Sequence, residues 1–213
     1  MKYKAVIFDC DGVLVDSEPI SDQVIVELAN DLGANIDLEY AHRNFTGGFL
    51  SDSIKKIEGL IDRKVPDNFV SEYRRISFAR FEKEIQPIEG VIELLDSLQV
   101  PFCVASNGPL NKMKLNLKTT GLIEYFKGNL YSAYELNSWK PDPTLFLYAA
   151  KQLGIQPKDC VVIEDSSSGV KAGVSGGFDV LAYGTQKNQK ELDIAGAKVF
   201  LSMKEIRNYL LKH

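Results

Sequence analysis

Ala5-Val6-Ile7-Phe8-Asp9-Cys10-Asp11-Gly12 is the stretch that decides the fold. Its four apolar residues run without a polar interruption, which suits a strand buried on both faces of a parallel sheet. Two carboxylates and a glycine then end it at a turn. Three more runs share this design: Phe102 to Ala105 stops at Ser106, Leu130 to Ala133 at Tyr134 and Glu135, and Val161 to Ile163 at Glu164 and Asp165. Amphipathic segments separate them. Glu89 to Leu98 sets Val91, Leu94, Leu95 and Leu98 on one helical face, while Asp142 and Pro143 open a segment, Leu145 to Leu153, that Gly154 closes. Val180 to Ala182 and Ala197 to Leu201 suggest two further strands, and Met203 to Leu211 a last helix. The alternation predicts an α/β fold with a doubly wound parallel sheet. In such a sheet the C-terminal strand ends share one edge, where ligands bind. Asp9, Asp11, Ser106, Asn107, Glu164 and Asp165 are therefore expected to converge.

From Ser17 to Pro87 the character changes. Pro19 sits early in a helical stretch that runs to Leu32 and Gly33, and Lys55 to Gly59 and Phe69 to Glu84 carry 3.6-residue patterns without a strand signal. This predicts an all-helical lobe of residues 17–87 inserted into a core of residues 1–16 and 88–213. Hinges are expected at Asp16 to Pro19 and Gln86 to Gly90, with Gly47 and Gly48 letting a lobe loop approach the substrate.

The 213 residues allow one full core and a modest second lobe. Twenty-nine acids against 25 Lys and Arg, a formal charge of −4, argue against nucleic acid as a partner. No stretch reaches the roughly 18 apolar residues that span a bilayer, and the short N-terminal run is unlike a signal peptide. Cys10, Cys103 and Cys160 are odd in number and lie in or beside strands, which reads as reduced thiols in a cytoplasmic protein.

The chemistry follows from the strand ends. Asp9 is placed to attack phosphorus as a carboxylate nucleophile, and Asp11 to move the proton of the leaving oxygen and then of water. Either acid alone would pass for a solvated turn. Glu164 and Asp165, with Asp9, offer oxygen ligands for a hard divalent cation, for which Mg²⁺ is the expectation. Ser106, Asn107 and Gly108 before a helix start suit a phosphate cradle, though the same triplet commonly makes an ordinary turn. Lys140 is read as the one cation beside a strand edge, placed to neutralise charge on phosphoryl oxygens. Cys10, flanked by two carboxylates, does not suit a thiolate nucleophile. With His42 and His213 the only histidines, a histidine metal cluster is excluded and a Ser-His-Asp triad disfavoured.

In order, Asp9-Cys10-Asp11-Gly12-Val13, Ser106-Asn107-Gly108, Lys140-Pro141-Asp142-Pro143 and Val162-Ile163-Glu164-Asp165-Ser166 with Gly169 resemble the haloacid dehalogenase-like superfamily. The likeness is to its branch of phosphatases and phosphoglucomutases with a helical cap. The resemblance implies a Rossmann-like core, Asp9 as nucleophile, Asp11 as acid/base that also offers its backbone carbonyl to Mg²⁺, Ser106 and Lys140 as phosphate binders, and Glu164 with Asp165 as metal-binding acids. Phosphoglucomutases of that branch carry a histidine after the nucleophile and a cap arginine; the matching positions here are Ser21 and Leu50. Without that distal cationic grip a bisphosphate intermediate is poorly held, so hydrolysis is favoured over a mutase. A noncatalytic member or a phospho-switch is a further alternative, though no core motif is missing. Ser106 to Met113 and Trp139 to Pro143 resemble bacterial 6-phosphogluconate phosphatases, which implies a small phosphorylated sugar or sugar acid as substrate. Arg43, Lys55 and Arg75 are the cap candidates to read it. The expected state is a monomer or weak homodimer.

Overall fold

The computed structural model describes residues 2–45 and 50–212, so Gly47 and Gly48 lie outside the described residues. The chain divides into two compact units, residues 1–16 with 86–213, and residues 17–85.

Strand β1 (Ala5–Phe8) opens the first unit, and all four of its residues are buried. The second unit then follows as four helices, α1 (Glu18–Asp31), α2 (Leu38–Asn44), α3 (Leu50–Ile61) and α4 (Phe69–Glu84). Pro19 occupies the first turn of α1, where its missing N–H costs nothing. Ile25, Ala29, Ala41, Phe45, Ile57 and Phe69 form this unit's own core. The short helix α2 is held by its cap, because Asp37 Oδ1 accepts a hydrogen bond from Tyr40 N at 2.7 Å.

Backbone pairing marks where the chain returns. Asp16 N donates to Gln86 O at 3.0 Å, Ile88 N donates to Leu14 O at 3.0 Å, and Val15 bridges Pro87. Gln86 and Pro87 are thereby tied to the first unit, so the second unit ends at Ile85 rather than Pro87.

The first unit continues through α5 (Val91–Ser97), β2 (Phe102–Ser106), α6 (Leu110–Thr119), α7 (Ile123–Phe126), β3 (Leu130–Ser132), α8 (Ala133–Leu136) and α9 (Thr144–Leu153). It closes with β4 (Cys160–Glu164), α10 (Ser167–Ser175), β5 (Asp179–Tyr183), α11 (Gln189–Ile194), β6 (Lys198–Phe200) and α12 (Met203–Lys212). All pairings are parallel and the strand order is β3-β2-β1-β4-β5-β6. This is the doubly wound sheet that the apolar runs predict. Strand β1 lies between β2 and β4, with Ile7 opposite Cys103 on one side and Val162 on the other. On one sheet face Ala5, Ile7, Cys103 and Val162 pack with Phe146, Ala149 and Val170. On the other, Phe8, Phe102 and Phe126 meet edge to face, with centroids 5.4 to 6.2 Å apart. Phe8 and Phe126 are fully buried, and each contributes about 1.5–3 kcal/mol. That burial fixes the register of the three central strands, and their register fixes the site.

Candidate active site

The ends of β1, β2 and β4 stand side by side, and the polar residues that follow them meet. Asp9 leaves β1 with its backbone N donating to Ile163 O at 2.9 Å, which carries the strand pairing one residue beyond Phe8. The chain then turns through Gly12 at φ 76°, a conformation that suits glycine. A Cβ on Gly12 would lie 2.0 Å from Asp165 Oδ2, so this glycine is what lets the Asp165 carboxylate close against the turn.

Lys140 is the centre of the buried charges. Its side chain is only 2% exposed, and Nζ donates to Asp9 Oδ1 at 2.6 Å and to Glu164 Oε1 at 2.7 Å. The ammonium also lies over the Phe146 ring, 4.6 Å from its centroid. The loop that carries it is held by Asn107, whose Oδ1 accepts from Lys140 N at 2.9 Å. Asn107, expected in a phosphate cradle, thus positions the lysine. Ser106 Oγ accepts from Gly108 N at 3.0 Å, and Ser132 Oγ donates to Gly108 O at 2.7 Å, which shapes the loop after β2.

Glu164 is fully buried and saturated. Beyond Lys140, its Oε2 accepts from Asp165 N, Ser166 N and Ser166 Oγ, each at 2.9 Å. Ser166 also caps α10, accepting from Gly169 N at 3.1 Å. A side chain at Gly169 would fall 1.8 Å from Glu164 Oε1. The glycine noted at the end of the fourth motif therefore makes room for the glutamate.

Asp9, Glu164 and Asp165 place one carboxylate oxygen each within 4.8 Å of one another. The donors are all oxygen, which suits a hard cation, and burial with two nearby carboxylates pushes the Cys10 thiol well above its ordinary pKa, so no soft ligand joins them. The residues therefore fit Mg²⁺. Because Glu164 already accepts from four donors on Lys140, Asp165 and the α10 cap, Asp9 and Asp165 are the carboxylates best placed to touch a cation, with Glu164 supporting them from behind.

Asp9 reflects the surplus of negative charge. Burial pushes its carboxyl up to about 7, Lys140 opposes this, and Glu164 and Asp11 add to it. For Lys140, burial acts to lower the pKa, but the two carboxylates outweigh it and the net shift is upward. The lysine stays charged, and what the trio lacks is a second positive charge. The sign for stability follows. Asp9 holds its proton in the folded state across the interval from its ordinary 3.8 to about 7, where the unfolded chain has released it. Its contribution is full below the unfolded pKa and is lost as pH rises through the folded one. In EDTA, Tm is expected to fall from about pH 5 to about pH 8, and Mg²⁺ to raise Tm more at the upper end. Thermal melts with and without Mg²⁺ across that range test this; an equal or absent Mg²⁺ effect at both ends would remove the cation from the cluster.

Asp11 is placed differently from the other acids. Its carboxylate is outside the three-acid cluster and meets Lys112 Nζ at 3.0 Å. Lys140 is therefore not the one cation at the strand edge: α6 supplies Lys112 as well. The sequence carried a signal for it, since Lys112 is one residue before buried Met113 and four before buried Asn116, on the shoulder of the helix's inner face. Exposed Lys114 and Lys118 lie off that face.

The three cap candidates stand apart from this cluster in the chain. Arg43 pairs with Glu39, Lys55 with Asp52 at 3.0 Å, and Arg75 with Glu72 at 2.5 Å, each on its own helix and each exposed. Such pairs contribute little and leave the cations exchangeable. Nothing in their surroundings marks one of the three as a reader of substrate.

The comparisons with known proteins agree with the fold and the motif order. A model of haloacid dehalogenase-like hydrolases matches residues 3–177. The 6-phosphogluconate phosphatase of Escherichia coli is 34% identical over 194 residues, which cover 90% of this chain and 87% of that protein. The phosphorylated carbohydrates phosphatase of Thermotoga maritima is 30% identical over 97% of this chain and 98% of its own length. Among solved structures, a haloacid dehalogenase-like protein of unknown function from Agrobacterium tumefaciens superimposes with a TM-score of 0.88 at 30% identity, covering 99% of this chain and 98% of that one. With a sheet of this strand order, four motifs at its edge and relatives that match nearly end to end, the chain belongs to the haloacid dehalogenase-like hydrolases.

Proposed function

We propose that the protein is a Mg²⁺-dependent phosphoric monoester hydrolase that acts on a small sugar or sugar-acid phosphate through an aspartyl-phosphate on Asp9. The observation that carries this is the Asp9–Lys140–Glu164 cluster at the β1 and β4 ends, with Asp11 and the Ser106 loop beside it. An oxygen of Asp9 attacks phosphorus, a new P–O bond forms, and the bond to the leaving oxygen breaks as Asp11 supplies that oxygen with a proton. Water then gives a proton to Asp11 and attacks the acyl phosphate, which releases inorganic phosphate and restores Asp9. Lys140 holds Asp9 in place and offsets charge that develops on the phosphoryl group. A bound Mg²⁺ would supply further charge neutralisation there, held by Asp9 and Asp165. Ser106 and the backbone around Gly108 are assigned to the phosphate.

The names of the relatives support a small carbohydrate phosphate, with 6-phosphogluconate as the favoured candidate. The helical unit, residues 17–85, is assigned the part of a mobile cap, because it is inserted directly after the turn that bears Asp9 and Asp11 and an acyl phosphate must be screened from idle solvent. Among the described residues no helix is long and apolar enough to cross a membrane, and the three buried cysteines are free thiols, which supports a place in the cytoplasm.

A panel of phosphorylated metabolites, with phosphopeptides and p-nitrophenyl phosphate alongside, tests the reading in Mg²⁺. Sugar phosphates are expected to exceed phosphopeptides in kcat/KM by about 100-fold or more. Equal turnover of phosphopeptides would overturn the capped-metabolite reading, and turnover that survives complete chelation would overturn the role of the metal.

A further inference from the structure

The pair of Lys112 and Asp11 forms a second charged group at the sheet edge, separate from the buried trio. Nζ of Lys112 is 3.0 Å from Asp11 Oδ1, with the two side chains 20% and 25% exposed. Gly108 lies between the parts: a Cβ there would be 3.4 Å from Asp11 Oδ2, 3.4 Å from Ser106 Oγ and 3.9 Å from Lys112 Cδ. Asp11, Ser106, Gly108 and Lys112 therefore line one spot. The two lysines of the site differ in setting. Lys140 is sealed between two carboxylates, whereas Lys112 reaches in from the first turn of α6 on a flexible stem and remains open to water.

We propose that Lys112 is a specificity-determining residue whose ammonium receives a carboxylate on the leaving group, so that the site prefers a sugar-acid phosphate over the matching sugar-alcohol phosphate. The proposal rests on the phosphatase reading. In that reading Asp11 is hydrogen-bonded to the oxygen that joins phosphorus to the leaving group. Lys112 touches the same carboxylate, which sets its ammonium beside the carbon chain that hangs from that oxygen. A partly solvated ion pair contributes little, so exchanging Asp11 for a substrate carboxylate is cheap. A hydroxyl at the same place on the substrate still accepts from the ammonium but carries no opposite charge, so the ion-pair attraction is lost. The net preference is therefore for the acid, and it comes from a residue on α6 in the α/β unit.

The experiment compares 6-phosphogluconate with D-glucitol 6-phosphate, which carries a hydroxymethyl group where the former has its carboxylate. Wild type is expected to favour the acid by about tenfold in kcat/KM. Lys112→Gln is expected to bring that ratio to within about twofold of unity, and Lys112→Arg to keep most of it. A second arm measures Kd for both compounds with Mg²⁺ in the Asp9→Asn protein, with and without Lys112→Gln, so that a turnover-poor variant still reports the ratio. A wild-type ratio near unity, or one that Lys112→Gln leaves unchanged, overturns the proposal. An equal loss of kcat on both compounds also overturns it and makes Lys112 a positioning residue for Asp11. If wild type hydrolyses no phosphomonoester at all, the phosphatase reading fails instead, and the ratio of Kd values alone decides whether Lys112 binds the carboxylate.

Discussion

Asp9→Asn is expected to reduce kcat by more than about 10⁴-fold, the order seen when a covalent nucleophile is removed, while raising the thermal stability of the metal-free protein. Both effects have one cause. Asp9 is buried, 8% exposed, in a cluster that holds one cation between two carboxylates, and burial already pushes its carboxyl up to about 7. Asparagine keeps the shape and an acceptor for Lys140 at the position of Oδ1, but it removes the charge that folding must desolvate. It also removes the oxygen proposed to attack phosphorus. On the proposed mechanism the native residue gives up stability for activity. Three measurements bear on this: kcat on the best substrate, Tm in EDTA, and acid-quench trapping of phosphate on the protein. Wild type should show a hydroxylamine-labile phosphoenzyme and the variant none. A variant that turns over at the wild-type rate would end the case for Asp9 as nucleophile.

Lys140→Met should be the most destabilising change at the site. It leaves Asp9 and Glu164 buried and facing each other with their shared ammonium gone. Breaking one side of a buried ion cluster costs about 3–5 kcal/mol, a large share of the stability of an ordinary domain. Activity should fall by about 10³-fold as well, since charge compensation at the phosphoryl group is lost. Combining Lys140→Met with Glu164→Gln separates the two effects, because the glutamine removes the orphaned charge that the first substitution exposes. The double variant should regain much of the stability yet none of the activity, a coupling that denaturant titration and kinetics read independently. Additive stability losses would show that the three residues do not act as one cluster. Lys140→Arg should not restore function, as a planar guanidinium cannot replace a point charge held at 2.6 and 2.7 Å between two carboxylates and over the Phe146 ring.

The sequence announced the strands more clearly than the contacts at their ends. Ala5 to Phe8 and Val161 to Ile163 are legible because a strand buried on both faces needs an unbroken apolar run, and few other elements do. Phe69 to Glu84 is legible because its helical period is long, and the helix has those bounds. Helix α2 does not stand out from its surroundings: seven residues give too few turns for a period to show, and its one signal is the Asp37 cap three positions before Tyr40. Lys112 is illegible for a different reason. A lysine in a helix near other lysines looks solvated, and only the return of α6 to the sheet edge places it against Asp11. For Asn107 the sequence suggests a phosphate contact, since an amide at a strand end suits that use; what it does not show is the second task, in which the amide oxygen accepts from the backbone of Lys140. Residue type and spacing select the chemistry available, but which groups satisfy each other is settled by tertiary packing.

The placement of β1 has a consequence for how the chain is made. This strand is synthesised before either of its hydrogen-bonding partners, β2, which follows the whole helical unit, and β4, at Cys160 to Glu164. Contacts so distant in sequence form slowly, because loop closure must be achieved before they contribute. The helical unit, whose core lies within residues 17–85, is synthesised in full before β2 exists. Asp9, the proposed nucleophile, is therefore translated at the end of an apolar segment that waits, unpaired, for β2 and β4 to appear. In a nascent chain that makes Ala5 to Phe8 a segment in need of protection from aggregation.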